Sequence, residues 1–279
     1  DTATYGIVRN YLNNGQLPPP AAIRIEEVIN ACDYDYPSSG QRTFNIYAEA
    51  APSPFRRDLT LLKIGVKARV VGRDGLAPRH LVFALDTSGS MASPDRLPLV
   101  QDALSALLDE LSDQDRVSVL GFARDATLLV SPTTLAGNGR AAVRDILQRL
   151  QCGGSTNLGV GLRAAYEVSW NQAQSGEQPL VILCSDGMAN LGDTEAQQLL
   201  SLAKEGRERG IRLTSVGFGL GNYNDTMLEQ LADRGDGSYV FVDTPAMARD
   251  AFAQEMSARL HVVAKDAKIQ VEFNPLRVR

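Results

Sequence analysis

Two apolar runs of the 279-residue chain end in nearly the same way, Leu81-Val82-Phe83-Ala84-Leu85-Asp86 and Leu180-Val181-Ile182-Leu183-Cys184-Ser185-Asp186. Each delivers an aspartate to its carboxyl end. If both runs are parallel strands, the two carboxylates share the sheet edge at which open α/β sheets bind ligands. Thr87-Ser88-Gly89-Ser90 follows the first run, so oxygens of Asp86, Ser88 and Ser90 recur at every second residue, and Gly89 permits a tight turn. A third segment, Gly153-Gly154-Ser155-Thr156-Asn157, leads into a helical stretch and offers Thr156. Carboxylate and hydroxyl oxygens without sulfur or imidazole suit a hard divalent cation: Mg²⁺, with Mn²⁺ or Ca²⁺ as alternatives. Zinc and copper are poorer matches.

The elements that must position these residues are legible from about Arg79 onward, where short apolar runs alternate with amphipathic stretches of helical length. Strands are expected at 80–86, 115–122, 126–130, 179–185, 211–217 and 237–242. Helices are expected at 96–111, 139–150, 158–170, 194–208, 225–233 and 245–260. In the first helix Leu99, Val100, Ala103, Leu104, Leu107 and Leu108 fall on one stripe. The fold class is therefore α/β, Rossmann-like, with a mostly parallel sheet, helices on both faces and 126–130 as an antiparallel edge.

The ends of the chain read differently. A helix over about 21–31 follows Pro18-Pro19-Pro20, and strand-like runs follow at 43–50 and 58–71. In the second run Leu62, Ile64 and Val66 alternate with Lys63 and Lys67, the pattern of a half-buried strand. Residues 266–273 alternate through Ala267, Ile269, Val271 and Phe273. A terminal strand needs a sheet to join. These patterns divide the chain into a 1–78 segment contributing to a β-rich domain, an α/β domain over 79–263, and a 264–279 strand completing the β-rich domain.

Asp86, Ser88, Ser90, Thr156 and Asp186, in that order and on those loops, resemble the metal-ion-dependent adhesion site of the von Willebrand factor type A domain. That site has the pattern Asp-x-Ser-x-Ser followed by a distant Thr and a distant Asp. The segments Tyr11 to Pro20, Ile23 to Asn30, Asp33 to Pro37 and Ala264 to Pro275 are similar to the bacterial YfbK-type members, with Cys32 standing where an aromatic is expected. The resemblance implies that the hydroxyls bind the metal directly and that one or both aspartates act through water. It also implies that a partner protein's Asp or Glu completes the coordination. It further implies an extracytoplasmic bacterial location, periplasmic or envelope-associated, with an export signal and a further C-terminal domain in such proteins. Met91, Asn157, Met188 and Asn190 are candidates for tuning specificity, and displacement of the 245–260 helix is a candidate for coupling the site to the β-rich domain.

Other functions fit less well. With 28 basic and 33 acidic residues, a formal charge of -5 and a pI near 5.2, the surface repels phosphate, so nucleic acid and anionic lipid are not expected partners. No apolar run approaches the roughly 20 residues of a membrane span. Cys32, Cys152 and Cys184 make neither a disulfide framework nor a thiolate zinc site, and Cys184 reads as a buried strand residue. A Ser88 or Ser90 hydrolase lacks a base: His80 lies six strand residues from Asp86, ~20 Å away, and His261 closes the last helix. A phosphotransferase using Asp86 needs an acid where Ser88 stands. Gly217 to Gly221 lacks the spacing of a dinucleotide loop. Trp170, Tyr34 and Tyr36 read as packing residues. No catalytic residue is assigned, and a metal that merely ties three loops together is the other alternative to adhesion.

Overall fold

The computed structural model describes residues 3–13, 15–20, 23–37, 42–69, 78–187, 193–218, 225–242, 244, 246, 264, 267–274 and 276. They form two compact units, one comprising Asp1–Asp33 with Leu76–Ser257 and the other Tyr34–Gly75 with Ala258–Arg279.

The first unit is built on a six-stranded sheet of β3 (Arg79–Asp86), β4 (Arg116–Phe122), β5 (Ala126–Thr134), β6 (Gln178–Ser185), β7 (Arg212–Phe218) and β8 (Tyr239–Val242). The strand order is β5-β4-β3-β6-β7-β8. Every pairing is parallel except β4 with the edge strand β5, as the sequence pattern predicts. All eight residues of β3 and all seven of β4 are buried: helices cover both faces, so the run Leu81 to Leu85 needs no polar alternation.

The helices of this unit are α1 (Ala3–Asn13), α2 (Ile25–Asn30), α3 (Leu97–Glu110), α4 (Gly139–Gln148), α5 (Leu158–Asn171), α6 (Asp193–Glu208) and α7 (Asp225–Arg234). On one face Val82, Ala84, Phe122 and Val181 pack with Leu158, Leu162 and Ala165 of α5 and with Leu228 and Leu231 of α7. Strand alternation turns Leu81, Phe83 and Leu85 to the other face. The expected stripe of α3 is buried in full, and its Gln101 donates to the carbonyl of Leu147 in α4 (3.0 Å). The expected helix at 245–260 lies outside the described residues apart from Ala246.

Helix α1 escapes the sequence reading, and its unit differs from the expected one. Residues 1–33 belong with the α/β unit rather than with the strands that follow them. The reason is tertiary: Glu27, buried in α2, accepts from both the backbone N–H and the hydroxyl of Thr4 in α1 (2.8 Å each), and Arg24 bridges Glu27 to Glu229 of α7.

The second unit contains an antiparallel hairpin of β1 (Phe44–Pro52) and β2 (Thr60–Ala68), in register from Phe44↔Ala68 to Pro52↔Thr60. Tyr36 stacks on Tyr47 with ring centroids 4.7 Å apart and lies over Gly65, where a Cβ would meet its ring. Tyr34 stacks on Tyr36 in turn, so these tyrosines pack as expected. Two expectations fail here. Residues 267–274 have no strand pairing, and the hairpin's sheet is two-stranded among the described residues. Leu62, Ile64 and Val66 are exposed rather than half-buried, and the one buried β2 residue is Gly65, on the opposite face. Alternation specifies which residues share a face, but a face is buried only if another layer covers it.

Candidate metal centre

The carboxyl ends of β3 and β6 lie side by side, with Leu85 opposite Cys184, and Asp86 and Asp186 follow from that register. Both are buried. Asp86 Oδ1 accepts from the backbone N–H of Ser88 (2.9 Å), and Oδ2 accepts from the hydroxyl of Ser185 (2.7 Å). Burial pushes the Asp86 carboxyl above its ordinary range; the Ser88 and Ser185 hydrogen bonds oppose that shift, and the Asp186 charge adds to it. A carboxylate whose anionic form is held at this cost is stabilised by a cation.

The Asp86 loop is locked to its neighbours through the backbone. Thr87 N–H donates to the Phe122 carbonyl (2.8 Å), Gly153 N–H to Thr87 O (2.8 Å), Gly89 N–H to Gly154 O (3.0 Å) and Asn157 N–H to Ala123 O (2.8 Å). Gly154 adopts a φ of +84°, a left-handed conformation that a side chain disfavours. The loop bearing Thr156 is thereby seated on the loop bearing Ser88 and Ser90. Asn157 caps α5, its side chain accepting from Val160 N–H (3.1 Å).

Ser88 Oγ and Ser90 Oγ stand 3.1 Å apart. They are hydrogen-bonded to each other, and the spacing is also compatible with two adjacent ligands of an octahedral Mg²⁺, which lie about 3.0 Å apart at about 2.1 Å from the ion. Among the described residues, no group of three or more His, Cys, Asp or Glu side chains is placed to hold a metal. Any ion here depends on the hydroxyls, and that chemistry fits Mg²⁺ and Mn²⁺ better than a soft metal.

The structure adds three residues the motif did not reveal. Ser185 anchors Asp86. Arg96, ahead of α3, donates through Nη1 to the Ser90 carbonyl (2.9 Å) and to Asp186 Oδ2 (2.5 Å). Cys152 sits close enough that, after burial, the charges of Asp86 and Asp186 hold its thiol above the usual range. Only Ser185 carried a local signal, its position beside Asp186.

Of the residues expected to tune specificity, Asn157 is exposed, whereas Met91 is fully buried and faces no partner. Its 3₁₀ turn, Gly89–Ala92, folds the side chain inward. Met188 and Asn190 lie outside the described residues. Cys184 is buried, as expected. Trp170 is half exposed under the guanidinium of Arg209. His80, at the opposite end of β3, is buried with Nε2 2.9 Å from Ser118 Oγ, and His261 lies outside the described residues.

Sheet topology defines a doubly wound α/β protein, with two buried aspartates and a pair of serine hydroxyls gathered at the carboxyl edge of the sheet. The model of the von Willebrand factor type A domain matches residues 80–254, and a further model described as von Willebrand factor matches residues 1–63. The chain belongs to the von Willebrand factor type A domain family. It is 37% identical to the Escherichia coli (strain K12) protein YfbK across 99% of its own length and 49% of that relative. The chain thus spans about half the length of the curated relatives it matches. Among solved structures it resembles a von Willebrand factor type A protein from Catenulispora acidiphila, with a TM-score of 0.58, 19% identity and coverage of 81% and 52% of the two chains. It also resembles proximal thread matrix protein 1 from the mussel byssus, solved with zinc in its adhesion-site motif, with a TM-score of 0.50, 17% identity and coverage of 63% and 46%.

Proposed function

We propose that this chain is a protein-binding module in which Asp86, Ser88, Ser90, Thr156 and Asp186 hold a divalent cation, Mg²⁺ or in its place Mn²⁺ or Ca²⁺. A partner's Asp or Glu completes the coordination. The observation that carries the reading is the 3.1 Å pair of serine hydroxyls fixed beside two buried aspartates at one sheet edge. The cation supplies an electrophilic centre, and the chain's own residues hold it, exclude other ligand types and present it at a surface. A cleft of about 360 Å³ opens beside Thr156, lined among others by Arg124, Arg163, Glu195 and Leu199. Two arginines against one glutamate favour acidic residues flanking the metal-bound carboxylate.

His80 supports the binding reading over a hydrolytic one, because its Nε2 faces Ser118 at the far end of the strand from Ser88. An envelope location, which the resemblance implies, belongs to the same proposal, as does insertion of the α/β domain between the hairpin-bearing segment and the C-terminal segment that share the other unit. Calorimetric titration with Mg²⁺ of wild type and Asp86→Ala is the first test, with both melts recorded. Capture of a partner from envelope extracts, with Mg²⁺ or with chelator, is the second. The reading requires that Asp86→Ala stay folded, lose Mg²⁺ binding and lose capture. Metal binding without metal-dependent capture identifies a structural tie between loops instead. Mg²⁺-dependent turnover of a generic phosphate ester that vanishes in Asp86→Ala restores the enzymatic reading.

A further inference from the structure

We infer that Arg96 is a built-in counter-cation that keeps Asp186 from neutralising the bound metal, so that the site retains a positive charge for an acidic ligand. This rests on the metal reading above and goes beyond its ligand set. The two aspartates of the site are held in different ways. Asp86 is bound by neutral donors, the Ser88 N–H and the Ser185 hydroxyl, so its whole negative charge is available to a cation. Asp186, with no exposed side-chain surface, is bridged at 2.5 Å by Arg96, itself only 15% exposed. The same guanidinium nitrogen holds the carbonyl of Ser90. Arg96 therefore ties the loop after β3, which bears Ser88 and Ser90, to Asp186 after β6.

The charge balance follows directly. Two free carboxylates cancel a divalent ion and leave nothing to attract a third. With the Arg96 guanidinium included, the site keeps one elementary positive charge, and a partner's carboxylate removes it. In a partly buried site this charge is weakly screened. The arginine thus weakens metal binding and strengthens acidic-ligand binding, and those opposite signs separate its role from that of a residue that merely supports the fold. Arg96 is a positioning residue, acting on the ion through Asp186.

The test uses the full chain and its Arg96→Met and Arg96→Lys variants, each first checked for a cooperative melt. Mn²⁺ affinity is read by electron paramagnetic resonance. Binding of N-acetylated, C-amidated Gly-Gly-Glu-Gly-Gly to the Mn²⁺-loaded protein is read by water-proton relaxation, with the identically capped Gln peptide as control. Arg96→Met is expected to bind Mn²⁺ at least about tenfold more tightly and the Glu peptide at least about tenfold more weakly, while Arg96→Lys, which keeps the charge, stays within about threefold of wild type in both. Should Arg96→Met fail to fold, Arg96→Gln takes its place with the same two readouts. Mn²⁺ affinity that is unchanged or weaker in the neutral variant, or Glu-peptide binding that is unchanged, overturns the inference while leaving the metal site standing. A wild-type chain that takes up no Mn²⁺ overturns the metal reading itself.

Discussion

Protonation of His80 is expected to limit the stability of this fold in mild acid. The ring has no solvent exposure. Its Nε2 shares a hydrogen with Ser118 Oγ at 2.9 Å, and Nδ1 has no hydrogen-bond partner among the described residues. An imidazolium here lacks a second acceptor and has the Arg116 charge paired beside it in β4. Burial first, and Arg116 second, push its pKa down from 6.5 to about 4, with Glu177 opposing. The unfolded chain therefore takes up the proton first as pH falls. Stability from the neutral ring is complete above about pH 6.5, declines between there and pH 4, and is then exhausted. At ~1.4 kcal/mol per pH unit the full loss is about 3 kcal/mol, of which about 2 kcal/mol has gone by pH 5. Urea titrations of wild type and His80→Gln at pH 7.5 and pH 5, without metal, give this directly. Subtracting the two proteins cancels the carboxylates and His261 common to both, so the wild type must lose about 2 kcal/mol more than the variant. Parallel losses, or an imidazole that titrates near 6.5 by NMR, refute the buried neutral ring.

Asp86→Asn is expected to stabilise the metal-free fold at neutral pH, because burial raises the carboxyl's pKa and a raised pKa means stability lost as pH climbs above the unfolded value. The same variant is expected to abolish the gain of about 2.7 kcal/mol that Mg²⁺ at a hundred times its Kd gives wild type, read as a melting shift. Gly161→Ala places a Cβ 2.4 Å from the Phe122 ring, so α5 must back away from the sheet at a cost of about 1–3 kcal/mol; since Phe122 O holds Thr87 N–H, Mg²⁺ affinity should fall with it. Arg24→Ala leaves the buried Glu27 and Glu229 without their shared cation, at a cost of about 2 kcal/mol, and limited proteolysis should then cut first near α1 and α2.

The sequence alone determined much of this protein. Continuous apolar runs require strands covered on both faces, and the 3.6-residue stripe of Leu99 to Leu108 requires α3 against them. A strand that ends in an acid inside a parallel sheet delivers that acid to the ligand edge. That Asp86, Ser88 and Ser90 share one turn needed no more than local spacing. What the tertiary structure decided concerns partners distant in the chain. Ser185 meets Asp86 across 99 residues, and Arg96 meets Asp186 across 90. Neither pair has a periodicity, because a contact between loops is set by strand register and helix docking. Met91 stands beside the motif and so is a candidate for tuning specificity, but its 3₁₀ turn buries it. The alternating 267–274 segment carries the pattern of a strand without its pairing, and α1 joins the α/β unit by lying against β8 and binding Glu27 of α2. Pattern encodes which residues share a face, and only the assembled fold settles whether anything lies against it.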